Sequence, residues 1–255
     1  MKNKHAFFGI ILPLLITACS EPQKPASGKN LENLETKEIH PESGEPGKTA
    51  PLEVKKQAPE DFLPAGFVIF DRIWGDLDRD GAKDLVLIIK GTDKSNFYTD
   101  EYRGELDRNR RGIIVLFNRK HGFEQAVKNV ACFSSENEDG GVYYPPELSL
   151  EIKKGNLYVH YAHGRYGYWW YTFRYDKKSD FDLIGFDASE NHGPIVQRTV
   201  SINFVTKRQQ EKVNVNENTE DSEEEVFEES WKNIPLKKTI KLSDRKSTRL
   251  NSSHT

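Results

Sequence analysis

Residues 75–90 read GDLDRDGAKDLVLIIK, an acidic turn that runs directly into an uninterrupted apolar segment. The apolar part, 84–90, has the length and the Val and Ile content of a strand, and its lack of alternation predicts that both of its faces are buried. The segment from Phe67 to Ile73 is rich in the same residue types and precedes the turn. The stretch therefore predicts two strands that run antiparallel on either side of an acidic loop.

Similar strand signals recur along the chain, and no segment of the core shows a helical period. Short apolar or alternating runs separated by Gly, Asn and Lys turns predict further strands at 112–118, 123–130, 148–152, 157–161, 169–175, 181–186, 199–205 and 236–242. Because 199–205 and 236–242 both alternate, we expect them to pair across the polar segment between them. The pattern predicts an all-β fold of antiparallel sheets, in a single domain with a partial-propeller or sandwich-like arrangement.

The amino terminus has the layout of a secretory signal peptide. Lys2 and Lys4 precede an apolar run from Ala6 to Ile16, which ends in small residues. The run is shorter than the roughly 20 residues that a membrane-spanning helix needs, and Pro13 interrupts it. We therefore expect residues 1–18 to be removed.

The four residues at 16–19, Ile-Thr-Ala-Cys, resemble a bacterial lipobox. The resemblance implies cleavage before Cys19 and lipid on its thiol, which would anchor the protein to a membrane of the cell envelope. Ser20 resembles the signal for outer-membrane sorting if the cell is Gram-negative. The alternative is an ordinary signal peptide that happens to end in a cysteine.

Changes in amino-acid composition predict where the remaining segments of the chain begin and end. Residues rich in Pro, Gly, Lys and Glu predict a disordered tether before the domain, and a cluster of Asp and Glu predicts a solvated loop within it. The residues from Asp244, reading DRKSTRLNSSH, resemble a translated sequencing adapter, so we expect an artefact there. The predicted units are a signal peptide at 1–18, a lipidated tether at 19–60, a β-rich domain at 61–206, an acidic loop at 207–230, a returning strand at 231–243 and an artefact tail at 244–255.

Cysteine content and charge exclude some classes of protein. Lipidation of Cys19 would leave Cys132 without an intrachain partner, and its apolar neighbours predict a buried, unreactive thiol. A net charge of −3 over 255 residues, without a basic patch, argues against a nucleic-acid partner.

The acidic turn has the spacing of a calcium loop. Asp76, Asp78, Asp80 and Asp84 occupy positions one, three, five and nine, and Gly81 at position six permits a sharp turn. Calcium requires several hard oxygen ligands, and the carbonyl of Ala82 at position seven would add one from the backbone. The alternative is an acidic turn that folds without metal.

This loop resembles the calcium loops of FG-GAP and VCBS repeats, because strands flank it and Leu87 stands where an EF-hand has its glutamate. The resemblance covers residues 69–89 and implies a structural calcium ion. A second candidate, 107–112, departs from the pattern at Arg110, where an acid is expected. With Leu183-Ile-Gly-Phe-Asp187, the domain also resembles a group of uncharacterised bacterial lipoproteins, which implies no activity.

Aromatic residues cluster at 158–175. Alternation places Trp169 and Trp170 on opposite faces of a strand, so one of them should lie near solvent. Together with His163 and Arg165, the exposed one could bind a sugar ring or a peptide. The alternative is that packed loops cover this face as well.

Enzyme signatures are missing from the sequence. It contains no Gly-x-Ser-x-Gly, phosphate-loop or HExxH motif, and we predict that the protein is not an enzyme. The predicted function is a membrane-anchored binding or scaffold module, stabilised by calcium, with a glycan or protein ligand in the envelope. The alternative is a cell-envelope hydrolase that acts on glycan or peptidoglycan.

Overall fold

The structure is a computed structural model that describes residues 58–137, 145–216 and 225–246. The predicted signal peptide, Cys19 and all but the end of the tether lie outside the described residues, as do residues 247–255 of the tail. None of the helical segments that are described could cross a membrane. The described strands are β1 (Phe67–Gly75), β2 (Asp84–Gly91), β3 (Phe97–Asp100), β4 (Gly104–Asp107), β5 (Arg111–Arg119), β6 (Gly122–Phe133), β7 (Glu147–Lys153), β8 (Asn156–Ala162), β9 (Gly167–Tyr175), β10 (Phe181–His192), β11 (Ile195–Asn203), β12 (Arg208–Asn214) and β13 (Phe227–Asn233).

All pairs among the described strands are antiparallel, and most of these strands belong to two sheets of unequal size. A four-stranded sheet has the order β1-β2-β5-β6, and a seven-stranded sheet has the order β13-β12-β11-β10-β9-β8-β7. The hairpin of β3 and β4 forms a separate two-stranded sheet. The prediction of an all-β, sandwich-like single domain is confirmed.

One hydrophobic core joins the two large sheets. It takes Val86 and Val115 from the four-stranded sheet and Leu157, Tyr171 and Phe173 from the seven-stranded sheet. The sheets also meet at one edge, where a Cβ atom added to Gly75 would lie 2.4 Å from Cγ2 of Ile152. Only glycine allows β1 and β7 to approach this closely.

Strand β2 is buried on both faces, which explains its uninterrupted apolar sequence. Val86 and Ile88 face the main core, whereas Leu85, Leu87 and Ile89 belong to a second cluster on the opposite side of the sheet. Phe62 and Leu63 pack against this second cluster. Phe62 ends a 3-10 turn at Pro59–Phe62, so the last residues of the predicted tether belong to the domain.

The chain after β11 differs from the prediction. The expected pairing of 199–205 with 236–242 is wrong, because β11 pairs with β12, which lies within the segment predicted as an acidic loop. Asn203 accepts hydrogen bonds from the amides of Val205 and Thr206, so the chain reverses at once. The connection between β12 and β13 is therefore confined to 215–226.

The segment predicted to return as a strand over 231–243 is strand only as far as Asn233. Beyond it, an isolated bridge joins Lys241 to Asp182, and apolar side chains pack on the main core. These side chains are Ile234, Leu236, Ile240 and Leu242. The segment thus covers the core without extending a sheet.

Asp176 fastens this covering segment to the body of the domain. One of its oxygens accepts hydrogen bonds from the amides of Lys178, Ser179 and Asp180, which closes the turn between β9 and β10. The other lies 2.8 Å from the Lys241 ammonium. Partial burial disfavours its charged form, but the ammonium and the three amides hold the pKa of Asp176 well below its usual range.

We expect Asp176→Asn to lower the free energy of unfolding by about 1–2 kcal/mol at neutral pH, because the variant loses a charged hydrogen bond. A carboxylate with a depressed pKa stabilises the fold above its unfolded pKa of about 4 and loses this effect as the pH falls further. Urea unfolding from pH 7 to pH 3 measures the difference. Asp71→Asn, at an exposed position of β1, is the control. A difference that stays constant over this pH range would contradict the assignment.

Candidate metal centre

The loop between β1 and β2 is held by its own carboxylates. Oδ2 of Asp76 accepts a hydrogen bond from the Gly81 amide, and Oδ1 of Asp78 accepts one from the Asp80 amide. Gly81 has φ of 92°, a left-handed conformation that favours glycine. Ala82 donates its amide to Oδ1 of Asp80 over 2.8 Å. The alternating acids thus fold the loop around their own side chains.

Three of the four predicted acids converge. Carboxylate oxygens of Asp76, Asp78 and Asp84 lie within 4.8 Å of one another. Oδ1 of Asp76 is buried and has no hydrogen-bond partner. Burying a polar atom without a partner is costly, and a cation within this cluster would remove the cost. Hard carboxylate oxygens in such an arrangement suit calcium.

Asp84 also has a structural role that needs no metal. Its side chain is fully buried, and its oxygens accept hydrogen bonds from the amides of Leu77, at 2.7 Å, and Asn118, at 3.0 Å. Burial raises the pKa of Asp84 above its usual value, although the amide hydrogen bonds oppose this shift. Asp84 therefore ties the start of the loop to the end of β5.

Asp80 lies outside the converging cluster, and an arginine holds it there. Nη1 of Arg119 lies 3.0 Å from Oδ2 of Asp80 and 2.5 Å from Oδ2 of Asp78, and Nε lies 3.0 Å from Glu124. Partial burial opposes its charge, but the neighbouring carboxylates keep the pKa of Arg119 above its usual value. No local sequence pattern links Arg119 to the loop, and it is the pairing of β5 with β2 that brings this side chain there.

A second arginine docks the loop on the neighbouring sheet. Nη2 of Arg79 donates to the carbonyl of Lys154 over 2.8 Å, in the turn between β7 and β8. A Cβ atom on Gly155 would lie 2.3 Å from Nε of Arg79, so the turn must carry glycine to accept this side chain. The loop is thus fixed to both large sheets.

The other predicted site residues do not form one surface. Trp169 faces inward, where its ring stacks on Tyr161 at 5.1 Å between centroids. Trp170 faces outward and donates its indole N–H to Oδ2 of Asp187 over 2.6 Å. His163 and Arg165 lie in the turn between β8 and β9, where both contact Tyr166. The prediction that alternation separates the two tryptophans is confirmed, and Trp170 is the one on the outer face. The described ring contacts of His163 and Arg165 are with Tyr166 and not with Trp170.

An aromatic cluster does exist on the outer face of the seven-stranded sheet. The rings of His160, Tyr168 and Trp170 lie 5.4 to 5.9 Å apart, and Tyr168 is exposed. Strand register continues this row across the whole sheet. The row consists of Ser149, His160, Trp170, Asp187, Ser201, Gln210 and Trp231, one residue from each strand.

This row contains serine, histidine and aspartate, but their contacts do not form a catalytic triad. Ser149 Oγ lies 3.5 Å from Nδ1 of His160, which is long for an activated nucleophile. The oxygens of Asp187 accept hydrogen bonds from Trp170 and, over 2.7 Å, from the hydroxyl of Ser201. Asp187 therefore orients Trp170, and the arrangement favours a fixed binding surface.

Two further candidates have structural roles. Cys132 is fully buried, as predicted, and burial raises the pKa of its thiol to about 12, which disfavours the reactive thiolate. In the second candidate loop, Asp107 lies 2.7 Å from the Lys90 ammonium and accepts a hydrogen bond from the Asn109 amide. These contacts give Asp107 a partner within the protein.

No protein-family model, curated protein or solved structure matches the chain.

We expect Asp84→Ala to lower the free energy of unfolding by at least about 2 kcal/mol in excess chelator, because two buried amides lose their acceptor. Asp80→Ala is the matched control, since the same change removes an exposed carboxylate of the same loop. Urea unfolding of both variants gives the comparison. Equal losses in the two variants would contradict the structural role of Asp84.

Proposed function

We propose that the protein is a lipid-anchored binding module of the bacterial cell envelope, stabilised by a calcium ion in the loop between β1 and β2. Two observations support the calcium site. Carboxylates of Asp76, Asp78 and Asp84 converge, and a buried oxygen of Asp76 lacks a hydrogen-bond partner. The fixed aromatic cluster on the outer face supports the binding part.

Calcium would have a structural role in this loop. Asp76, Asp78 and Asp84 would supply carboxylate ligands, and the carbonyl of Ala82 and water would complete the coordination of six to eight oxygens. Asp84 is already held by Leu77 and Asn118, so the ion would join the loop to β2 and β5. No pair of helices flanks the loop among the described residues, so the ion would stabilise the domain and would not switch it.

Arg119 sets the strength of the proposed site. Its guanidinium contacts Asp78 and Asp80 and offsets part of their negative charge, which supports the alternative of an acidic loop that folds without metal. The same pairing competes with calcium for Asp78, because one carboxylate oxygen cannot serve both cations equally well. Asp80 would become a ligand only if its contact with Arg119 broke.

We expect calcium at about 100 times its Kd to raise the melting temperature of the full chain by about 5 to 10 °C over the chelated sample. Asp76→Asn should abolish the rise, whereas Asp71→Asn, outside the loop, should leave it unchanged. Thermal unfolding followed by circular dichroism measures each shift.

Arg119→Gln, tested in the same experiment, distinguishes the two roles of the arginine, which are to stabilise the metal-free loop and to compete with calcium for Asp78. The metal-free form should melt at a lower temperature, because Asp78 and Asp80 lose their counter-charge. The rise with calcium should become larger, because the competitor is gone. If millimolar calcium changes the melting temperature of neither the parent chain nor Arg119→Gln, the metal assignment is wrong and the loop folds without metal.

The proposed anchor is the lipid on Cys19. The resemblance of residues 16–19 to a lipobox supports this proposal, and it implies the cell envelope, with the outer membrane as the destination in a Gram-negative cell. Cys132 is buried within the domain, so it is not available as a disulfide partner for Cys19. This leaves the thiol of Cys19 free for acylation.

The proposed ligand is a glycan or a protein of the envelope, bound on the outer face near Trp170. Aromatic rings bind sugars and peptides because they bury a large apolar surface at a small cost in side-chain entropy. The hydrogen bonds from Trp170 and Ser201 to Asp187 fix the central ring before any ligand binds. Such preorganisation favours affinity.

The second candidate function is a hydrolase that acts on glycan or peptidoglycan. The contact between Ser149 and His160 is the observation that favours it. Purified peptidoglycan sacculi serve as the probe for both functions. We expect the full chain to sediment with sacculi and to release no soluble fragments. Trp170→Ala should reduce the bound fraction by about tenfold, the effect of losing one well-placed aromatic contact.

Trp74→Ala is the matched control, since Trp74 is a half-exposed tryptophan on β1 of the other large sheet. Release of soluble fragments that depends on His160 would replace the binding module with the hydrolase. Equal binding by the parent chain and Trp170→Ala would exclude the cluster as the surface for this glycan.

A further inference from the structure

Strand β13 is the outermost strand of the seven-stranded sheet. It pairs with β12 on one side, and no described strand pairs with its other side. All seven of its residues are exposed. An edge strand of this kind presents backbone N–H and C=O groups that another strand can pair with.

The edge also exposes large apolar side chains. Trp231 is 51% exposed and Phe227 is 36% exposed, and both lie on the outer face of the sheet. Val213 and Val226 are exposed nearby. Arg208 covers part of the Trp231 ring from 4.5 Å, which leaves half of the side chain in solvent. Exposed apolar side chains along a free strand edge favour pairing with another strand.

The sequence of β13, FEESWKN, is complementary to itself when two copies run antiparallel about Ser230. In this register, Glu228 lies opposite Lys232 of the second copy and Lys232 lies opposite its Glu228. Oppositely charged residues that face each other across two strands are stabilising. Trp231 of the second copy would lie diagonally across from Trp231 of the first, and an aromatic side chain can span this distance.

Other registers that keep the same faces together lose these interactions. Centring the pair on Glu229 places two identical negative charges opposite each other. Centring it on Trp231 places Lys232 opposite Ser230 and leaves no ion pair. Charge therefore selects the register about Ser230, and its two-fold symmetry produces a closed dimer.

We propose that the protein forms a two-fold symmetric dimer in which β13 of one copy pairs antiparallel with β13 of a second copy about Ser230. The pairing joins the two seven-stranded sheets edge to edge. The outer face of one copy then continues into that of the other. This interface does not depend on the proposed calcium ion or on the proposed ligand.

A cysteine at the symmetry position tests the pairing in cells that express the full chain. Ser230→Cys places two thiols directly opposite each other, and Cys132 is buried. We expect a disulfide-linked dimer after mild oxidation, and the same dimer with a short bis-maleimide. Val205→Cys, at an exposed turn, and the parent chain are the controls, and neither should form it.

Charge reversal tests the register. Adding Lys232→Glu to the Ser230→Cys chain should reduce the dimer by about tenfold, because two attractive pairs become repulsive. Adding Glu228→Lys as well should restore the dimer, because both pairs return with their signs exchanged.

Three outcomes would overturn the proposal. They are the absence of a cross-linked dimer of the Ser230→Cys chain, a dimer that Lys232→Glu does not weaken, and a cross-linked product whose mass identifies a different protein as the partner of β13.

Discussion

The double burial of β2 is the constraint on which the rest of the domain depends. A strand with apolar side chains on both faces needs other residues packed against each face, and here different parts of the chain pack against the two faces. The seven-stranded sheet supplies the main core on one side, while Phe62 and Leu63 cover the other. The domain therefore begins before its first strand, and the residues that precede β1 are part of the fold.

The acidic loop follows from the same constraint. Asp84, the first residue of β2, is buried with the strand, so its carboxylate must find partners inside the protein. The amides of Leu77 and Asn118 provide them, and Arg119 balances the acids nearer the surface. Only Asp76 keeps a buried oxygen without a hydrogen bond in the described structure of the loop. A cation bound beside this oxygen would supply the partner that it lacks.

The sequence predicted those features that local pattern determines. Apolar runs and turns placed most strands, the uninterrupted run at 84–90 predicted burial on both faces, and alternation separated Trp169 from Trp170. From the spacing of the acids we predicted that Asp76, Asp78 and Asp84 come together, and they do. Strand β12 was missed because its sequence, RQQEKVN, is polar almost throughout, as expected near the edge of a sheet.

Contacts between distant segments could not be predicted in the same way. Arg119 reaches the loop only because β5 lies beside β2, and no spacing in the sequence records that pairing. The covering segment at 234–243 has the alternation of a strand, yet it is held by packing and by Asp176. Its pattern reports which side chains are buried, but not whether the backbone joins a sheet.

The order of the seven-stranded sheet also bears on how the protein folds. Each of its strands pairs with the next strand along the chain, so its contacts are local in sequence. Sheets with local contacts form faster than sheets that must close long loops, and β2 must close such a loop to reach β5 across the hairpin of β3 and β4. The seven-stranded sheet can therefore assemble by successive hairpins, whereas the four-stranded sheet needs the connection between β2 and β5 to close.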